Sequence, residues 1–168
     1  MPWQRPNRLW RHIATDEGDA RRTFSEAALD RIERAIVTGE GTHRGQVCVA
    51  VEPALPLARV MRGVSPRERS VEVFGLLRIW DTEENNGVLV YLLLADHDVE
   101  IVADRAIHAR VGEAAWEAIC RRMESAFREG RFVEGLEAGV REISVLLAEH
   151  FPGDAGNPNE IPNRPVVL

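Results

Sequence analysis

Residues 88–95 read VLVYLLLA, and this stretch indicates the fold class because it is apolar on both faces. A strand that is apolar on both faces is typical of the centre of a sheet covered on both sides by helices. The pair Asp96-His97 follows, and residues 99–104 then form a second strand-like segment. A connection this short joins antiparallel strands, so the two segments predict a β-hairpin.

The segments on either side of this hairpin alternate between helical and strand patterns. The sequence predicts a helix over residues 25–37 with Ser25 as its cap, and then a strand over residues 46–52. Another helix begins at Pro66, and two more follow the hairpin. The first two strands are joined through a helix, which favours a parallel arrangement. The predicted fold is therefore α/β, a three-layer α/β/α sandwich around a small mixed sheet.

The helix that begins at Pro66 carries apolar residues that we expect to face the sheet. They are Val71, Phe74, Leu77 and Trp80. A spacing of three residues is close to one helical turn, so these side chains would form one stripe along the helix.

The chain is predicted to have a central domain with an extension at each end. We expect an N-terminal arm at residues 1–22, the α/β domain at residues 23–152, and an extended tail at residues 153–168, where Pro162 and Pro165 oppose regular structure. The arm either packs on the domain or forms a basic aromatic surface for an acidic partner or for peripheral contact with a membrane. Its basic and apolar residues are Trp3, Arg5, Arg8, Trp10, Arg11 and Ile13.

The composition argues against several classes of function. The formal net charge is −6, whereas nucleic-acid binding depends on positive charge. No stretch approaches the roughly 20 apolar residues of a membrane span, and no signal-peptide core is present, so we expect a cytoplasmic protein. The sequence has no P-loop, dinucleotide motif or zinc motif, which predicts no organic cofactor. The two cysteines, Cys48 and Cys120, are expected to be free.

The predicted strand directions indicate which polar residues meet. The amino ends of two parallel strands lie at the same edge of a sheet as the carboxyl end of an antiparallel neighbour. The opposite edge gathers fewer polar residues, at Glu52 and residues 96–98. The residues that this topology places at the first edge are Glu40, His43, Asp81, Asn85, Asn86, Asp104 and Arg105.

The acidic loop before the second strand permits two interpretations. Asp81 follows the carboxyl end of a helix, where a bound cation or a nearby arginine would offset the repulsion of like charges. Carboxylate and amide oxygens are suitable ligands for Ca²⁺ or Mg²⁺. The same residues are also good turn formers, so a solvated turn explains them without a ligand. Asp104 could form an ion pair or bind a ligand. Glu40 and His43 could simply be polar residues at the end of a helix.

Two stretches of the sequence resemble the TPM-domain family. One is WDTEENNGVL at residues 80–89, and the other is VEIVADR at residues 99–105. The segment EGTHRGQV at residues 40–47 and the segments FP and NEIPN near the carboxyl end resemble a bacterial branch of the family. Gln46 departs from that branch, in which an acidic residue is common at this position.

The resemblance implies an α/β/α sandwich and, in some members, calcium or another divalent ion bound near the sheet edge. Carried over residue by residue, it assigns Asp81, Asn85, Asn86 and Asp104 as metal ligands. The family includes thylakoid proteins described as acid phosphatases, and many members have a signal peptide and a C-terminal membrane helix. This sequence shows neither feature, and no catalytic motif accompanies the resemblance.

Two functions are consistent with these patterns. The first is a partner-binding module tuned by a divalent cation, which we prefer because no catalytic signature is present. The second is a metal-assisted phosphomonoesterase, in which Glu40, His43 or Arg105 would contact the ligand or its phosphate.

Overall fold

The computed structural model describes residues 7–153, 156 and 158–168. Its sheet has four strands in the order β3-β2-β1-β4. The strands are β1 (Gln46–Glu52), β2 (Gly87–Leu93), β3 (Asp98–Ala103) and β4 (Val166–Val167). Strand β1 is parallel to β2 and to β4, and β2 is antiparallel to β3, so the sheet is mixed.

The described residues include eight α-helices and one short 3₁₀-helix, which spans Leu94–Asp96. The α-helices are α1 (Arg8–Ala14), α2 (Glu17–Thr23), α3 (Glu26–Glu40), α4 (Leu57–Met61), α5 (Pro66–Leu76), α6 (Arg105–Val111), α7 (Glu113–Arg128) and α8 (Phe132–His150). None of them is long and apolar enough to cross a membrane.

Two apolar cores lie on opposite faces of the sheet. One face packs against α3, α6, α7 and α8, and the other packs against α4, α5 and the carboxyl-terminal segment around Ile161. All seven residues of β1 and all seven of β2 are buried, because alternate side chains enter alternate cores. The predicted α/β sandwich is therefore confirmed.

The local signals at the helix starts are also confirmed. The hydroxyl of Ser25 accepts a hydrogen bond from the backbone N–H of Ala28, which caps α3. Ser65 and Glu68 form a capping box at the start of α5, with Pro66 in the first turn. Both cysteines are free.

The predicted inward stripe of α5 is wrong at two positions. Val71 and Trp80 are 52% and 50% exposed. The residues that face the sheet are Val73 and Ser70, both fully buried, while Phe74 is half-buried. Val71 lies about half a turn from the buried Val73 around the helix, and Trp80 lies beyond the end of α5 at Leu76.

Helices α1, α2, α4 and α6 and strand β4 were not predicted. Residues 8–23 are short and polar, so their helical periodicity covers too few turns to be recognised. In the tail, Val166 and Val167 extend the sheet beside β1, and the N–H of Leu168 donates to the carbonyl oxygen of Val51 at 2.8 Å. Two residues give no periodic signal, because strand patterns need about four. The predicted positions of Trp3 and Arg5 lie outside the described residues.

Candidate functional site

The predicted juxtaposition of Asn86 and Asp104 is present at the amino end of β1 and β2. The N–H of Asp104 donates to the carbonyl oxygen of Gly87 at 2.9 Å, so Asp104 lies beside the residue that follows Asn86. On the other side, the N–H of Gln46 donates to the carbonyl oxygen of Asn86 at 3.0 Å. Three chain segments therefore meet at this end of the sheet.

Each of these two residues has a buried side-chain oxygen without a hydrogen-bond partner among the described residues. Asn86 is 2% exposed, and its amide nitrogen donates to the carbonyl oxygen of Arg44 at 2.6 Å, while Oδ1 accepts nothing. Asp104 accepts a hydrogen bond from the N–H of Arg105 through Oδ1 at 2.6 Å, but its Oδ2 has no partner. Buried acceptors without donors cost free energy, on the order of 1–3 kcal/mol each.

Asp81 and Asn85 have structural explanations of their own. The carboxylate of Asp81 lies 2.5 Å from a guanidinium nitrogen of Arg78, and both side chains are largely exposed. Of the two ways to offset the charge of Asp81, a cation or an arginine, the described structure supplies the arginine. Asn85 has a φ of 52°, and its N–H donates to the carbonyl oxygen of Thr82, so it forms the turn.

Glu40 connects the end of α3 to the start of β1. Its carboxylate accepts a hydrogen bond from the N–H of Val47 at 3.0 Å, and the side chain of Asn163 in the tail also bonds to it. Burial raises the pKa of Glu40 to about 7, against the smaller opposite effect of these hydrogen bonds.

His43 is completely buried, and neither of its ring nitrogens has a hydrogen-bond partner in the described structure. Burial lowers the pKa of His43 to about 4, and the backbone of Gly45 offsets this only in part. Arg105 is exposed at the first turn of α6 and makes no ion pair with a described residue. Glu40, His43 and Arg105 are therefore not gathered into one cleft by any contact described.

The tail closes this end of the sheet, which the sequence did not indicate. Gln46 donates to the carbonyl oxygen of Pro158 at 3.1 Å and accepts from the N–H groups of Glu160 and Ile161. The carboxylate of Glu160 in turn accepts a hydrogen bond from the N–H of Glu83 at 2.9 Å. A neutral amide both donates and accepts, which a carboxylate at position 46 would not do.

The opposite end of the sheet holds a charged cluster around Asp96 that sequence reasoning missed. Its carboxylate lies 2.8 Å from Arg8 and 2.9 Å from Arg11, and 3.3 Å from Nε2 of His12. Nδ1 of His12 accepts a hydrogen bond from the N–H of Leu55, so the neutral ring carries its proton on Nε2, toward Asp96. The arm is therefore attached to the domain by this cluster.

A second buried carboxylate lies at the end of β1. Glu52 accepts two hydrogen bonds from Arg69, at 2.9 Å and 3.0 Å, and one from the hydroxyl of Tyr91 at 2.5 Å. Burial and the neighbouring carboxylate raise the pKa of Tyr91. Tyr91 is the one polar side chain within the apolar run of β2. A buried tyrosine hydroxyl usually has a hydrogen-bond partner, so Tyr91 could have indicated a buried polar group such as Glu52.

The described residues contain no group of three or more histidine, cysteine, aspartate or glutamate side chains that could hold a metal ion. Asn86 and Asp104 supply one unpartnered oxygen each. The assignment of Asp81, Asn85, Asn86 and Asp104 as metal ligands stays a prediction, as does the identity of the cation.

The sequence was compared with known families and structures. The model of the TPM domain matches residues 18–146, which is more than half of the chain. This chain belongs to the TPM-domain family. The matched part contains every predicted site residue, from Glu40 to Arg105, whereas the tail lies beyond it.

A solved structure shares this TPM fold. The NMR structure of the BA42 protein from the psychrophilic bacterium Bizionia argentinensis is similar with a TM-score of 0.76 and 25% sequence identity. The match covers 86% of this chain and 94% of the BA42 chain. Among curated proteins, no relative of this chain was found.

The outer face of this TPM domain at α4 and α5 carries exposed apolar side chains. Val71 and Leu76 of α5 line one shallow depression together with Arg59 of α4. Nearby in the chain, Met61 is 77% exposed and Trp80 is half-exposed. The other side of α5 already packs on the sheet. Exposed large apolar side chains on such a helix are typical of an interaction surface.

Proposed function

We propose that this TPM domain is a partner-binding module and that the outer face of α4 and α5 contacts a protein partner. The observation that carries this proposal is the exposure of Leu76, at 68%, and of Val71 beside it. The inner side of α5 already buries Val73, so the exposed apolar side has no role in packing the described fold.

The charges around these apolar residues fit an interface. Glu72 forms ion pairs with Arg59 at 2.5 Å and with Arg69 at 3.0 Å, which links α4 to α5. Both arginines line the same depression as Leu76. An apolar centre with an ordered polar rim is the usual anatomy of a protein–protein interface.

Photo-crosslinking tests this surface. A photoreactive phenylalanine analogue replaces Leu76 in one variant and Val37 in a matched control, since Val37 is also exposed, at 51%, but lies on α3. We expect a specific crosslinked partner from host cells at position 76 that is absent at position 37. Equal products at the two positions, or none at position 76, would contradict the proposal.

We infer that a divalent cation at the amino end of the sheet tunes this module. The support is the pair of buried oxygens without donors, Oδ1 of Asn86 and Oδ2 of Asp104, on chain segments that share a backbone hydrogen bond. Hard cations such as Ca²⁺ and Mg²⁺ prefer such oxygens, and water completes their coordination. The apolar face of α5 and the loop from residue 81 lie next to each other in the chain, which connects the two sites.

Calorimetric titration of the protein with Ca²⁺ and Mg²⁺ tests the cation site. We expect Asp104→Asn to weaken binding at least about tenfold, because it removes the negative charge while an asparagine still caps α6. Asp81→Ala reports whether the loop contributes a ligand. Wild-type protein that binds neither ion would remove the cation from the proposal.

The same variants separate binding from phosphomonoesterase activity. A generic phosphate ester is assayed with each cation on wild type and Asp104→Asn. Hydrolysis by the wild type that is lost in Asp104→Asn would replace the partner-binding proposal with the metal-assisted phosphatase. Equal rates in the two proteins would exclude catalysis at this site.

A further inference from the structure

A groove of about 590 Å³ runs between α3 and α8, on the side of these helices that faces away from the sheet. This volume lies in the range of about 300–1,000 Å³ that is usual for small-molecule sites. One wall is apolar, with Ala35 from α3 and Val145 and Ala148 from α8. Val145 is 68% exposed, so nothing in the described structure covers this wall.

Two unpaired arginines line the same groove. The chain contains no lysine, and most of its described arginines form ion pairs. Arg34 of α3 and Arg141 of α8 have no ion pair and no side-chain hydrogen bond within the described part of the chain, and both line the groove. Since the protein as a whole is acidic, this is a local concentration of uncompensated positive charge.

The floor of the groove carries a buried hydroxyl without a partner. Ser144 is 7% exposed and lines the groove, and its Oγ makes no hydrogen bond in the described structure. Helices α3 and α8 approach so closely here that a Cβ on Gly39 would lie 2.0 Å from that oxygen. The same position is 3.5 Å from Nε2 of His43, which is also buried without a partner.

We propose that this groove binds a small organic anion with an apolar body, whose carboxylate or phosphate group pairs with Arg34 and Arg141. The apolar body lies against Ala35, Val145 and Ala148, and the hydroxyl of Ser144 donates a hydrogen bond to the anion. Guanidinium groups suit carboxylate and phosphate because they present two parallel N–H donors.

The charge pattern along the groove orients this ligand. Arg31 also lines the groove, but its guanidinium is paired with Glu137 at 2.6 Å, so it is not available to an anion. The available positive charge is therefore that of Arg34 and Arg141. This groove is separate from the proposed partner surface, which lies on the other side of the sheet at α5.

Three eight-carbon probes test the proposal on the full chain. They are octanoate, octyl phosphate and neutral 1-octanol, and binding is followed by calorimetry and by amide chemical shifts. We expect the wild type to bind at least one anion saturably and more tightly than 1-octanol, with shifts confined to α3 and α8. The two anions distinguish a carboxylate from a phosphate ligand.

A matched pair of double variants isolates the arginines. Arg34→Gln with Arg141→Gln should raise the Kd for the anion about tenfold or more, because charged hydrogen bonds are lost. Arg21→Gln with Arg62→Gln removes the same charge from two exposed arginines outside the groove and should leave the Kd unchanged. Ser144→Ala should raise the Kd several-fold, with unfolding curves recorded for every variant to verify the fold.

Three results would overturn the proposal. They are equal Kd values for the two double variants, binding of 1-octanol as tight as that of the anions, and no saturable binding of either anion to the wild type. None of them affects the crosslinking test at Leu76, so the two proposals fail independently.

Discussion

Buried polar residues at the two ends of the sheet differ in how completely their side chains are hydrogen-bonded. At the carboxyl end of β1 and β2, Glu52 and Asp96 are surrounded by arginines, a tyrosine and a histidine that neutralise or bond them. At the amino end, Asn86 and Asp104 each retain a buried oxygen without a donor. Glu52 and Asp96 therefore stabilise the fold, although Oδ1 of nearby Asp98 is itself buried without a partner in the described structure.

Burial and charge alone therefore do not identify a binding site. Asp96 lies at the centre of the charged cluster, and both oxygens of its carboxylate are paired with arginines of the same chain. Such pairing indicates a structural role. Completeness of partners separates Glu52 and Asp96 from Asn86 and Asp104, and variants of these residues can test it.

The largest effect is expected at the carboxyl end. Asp96→Ala leaves the partly buried Arg8 and Arg11 without a counter-charge, so the free energy of unfolding should fall by about 3 kcal/mol. Asp81→Ala is the control, because its ion pair with Arg78 is exposed and should contribute less than about 0.5 kcal/mol. Urea unfolding measures both, and equal losses would erase the contrast between the two ends.

The next effect concerns the contact between the sheet and the tail. Gln46→Ala removes three hydrogen bonds and leaves the N–H groups of Glu160 and Ile161 unpaired, which should cost about 2 kcal/mol. Hydrogen exchange should accelerate at these two amides and at Leu168 more than within β2. Unchanged protection of the tail would show that it is held by other contacts.

Glu40→Gln should change how stability depends on pH. The native state holds a proton on Glu40 between its unfolded pKa of 4.5 and its folded pKa of about 7, so the unfolding free energy contributed by this group falls as pH rises through that interval. Glu40→Gln does not titrate, so its free energy of unfolding should rise by about 1–2 kcal/mol relative to wild type between pH 4.5 and pH 8.

His43 acts in the opposite direction, because its folded pKa of about 4 lies below the unfolded value of 6.5. Acidification through that interval lowers the free energy of unfolding. This effect of His43 is the same in wild type and in Glu40→Gln. Unfolding curves at several pH values, with exposed Glu117→Gln as the control, isolate the glutamate. Parallel profiles for Glu40→Gln and wild type would show that its carboxyl titrates normally.

The smallest effect is predicted for Asp104→Asn without added cation. Asparagine retains an oxygen that accepts from the N–H of Arg105, so unfolding free energy should change by less than about 0.5 kcal/mol. A small change in stability combined with weakened Ca²⁺ or Mg²⁺ binding would sharpen the distinction between the two ends. A loss above about 2 kcal/mol would instead give Asp104 a structural role.

Part of the fold was predictable because it rests on local rules. The largely apolar β2, the cap at Ser25 and Pro66 in the first turn of α5 act through nearest neighbours, and each was confirmed. The order of the elements predicted which strands pair in parallel and which pair antiparallel. These pairings place Asn86 and Asp104 close together. The phase of α5 was not predictable, because Val71 and Val73 are equally apolar and only the sheet distinguishes them.

The sandwich and the segments that meet at the amino end of the sheet follow from the amino-acid sequence, because apolar periodicity, helix capping and connection length act locally. Which polar groups find hydrogen-bond partners depends on contacts between distant parts of the folded chain. Asp96 with Arg8, Gln46 with the tail, and Gly39 with Ser144 are each joined across 80 to more than 100 residues of chain. Contacts at such separations leave no pattern in the sequence, because they depend on how the helices and tail pack on the sheet.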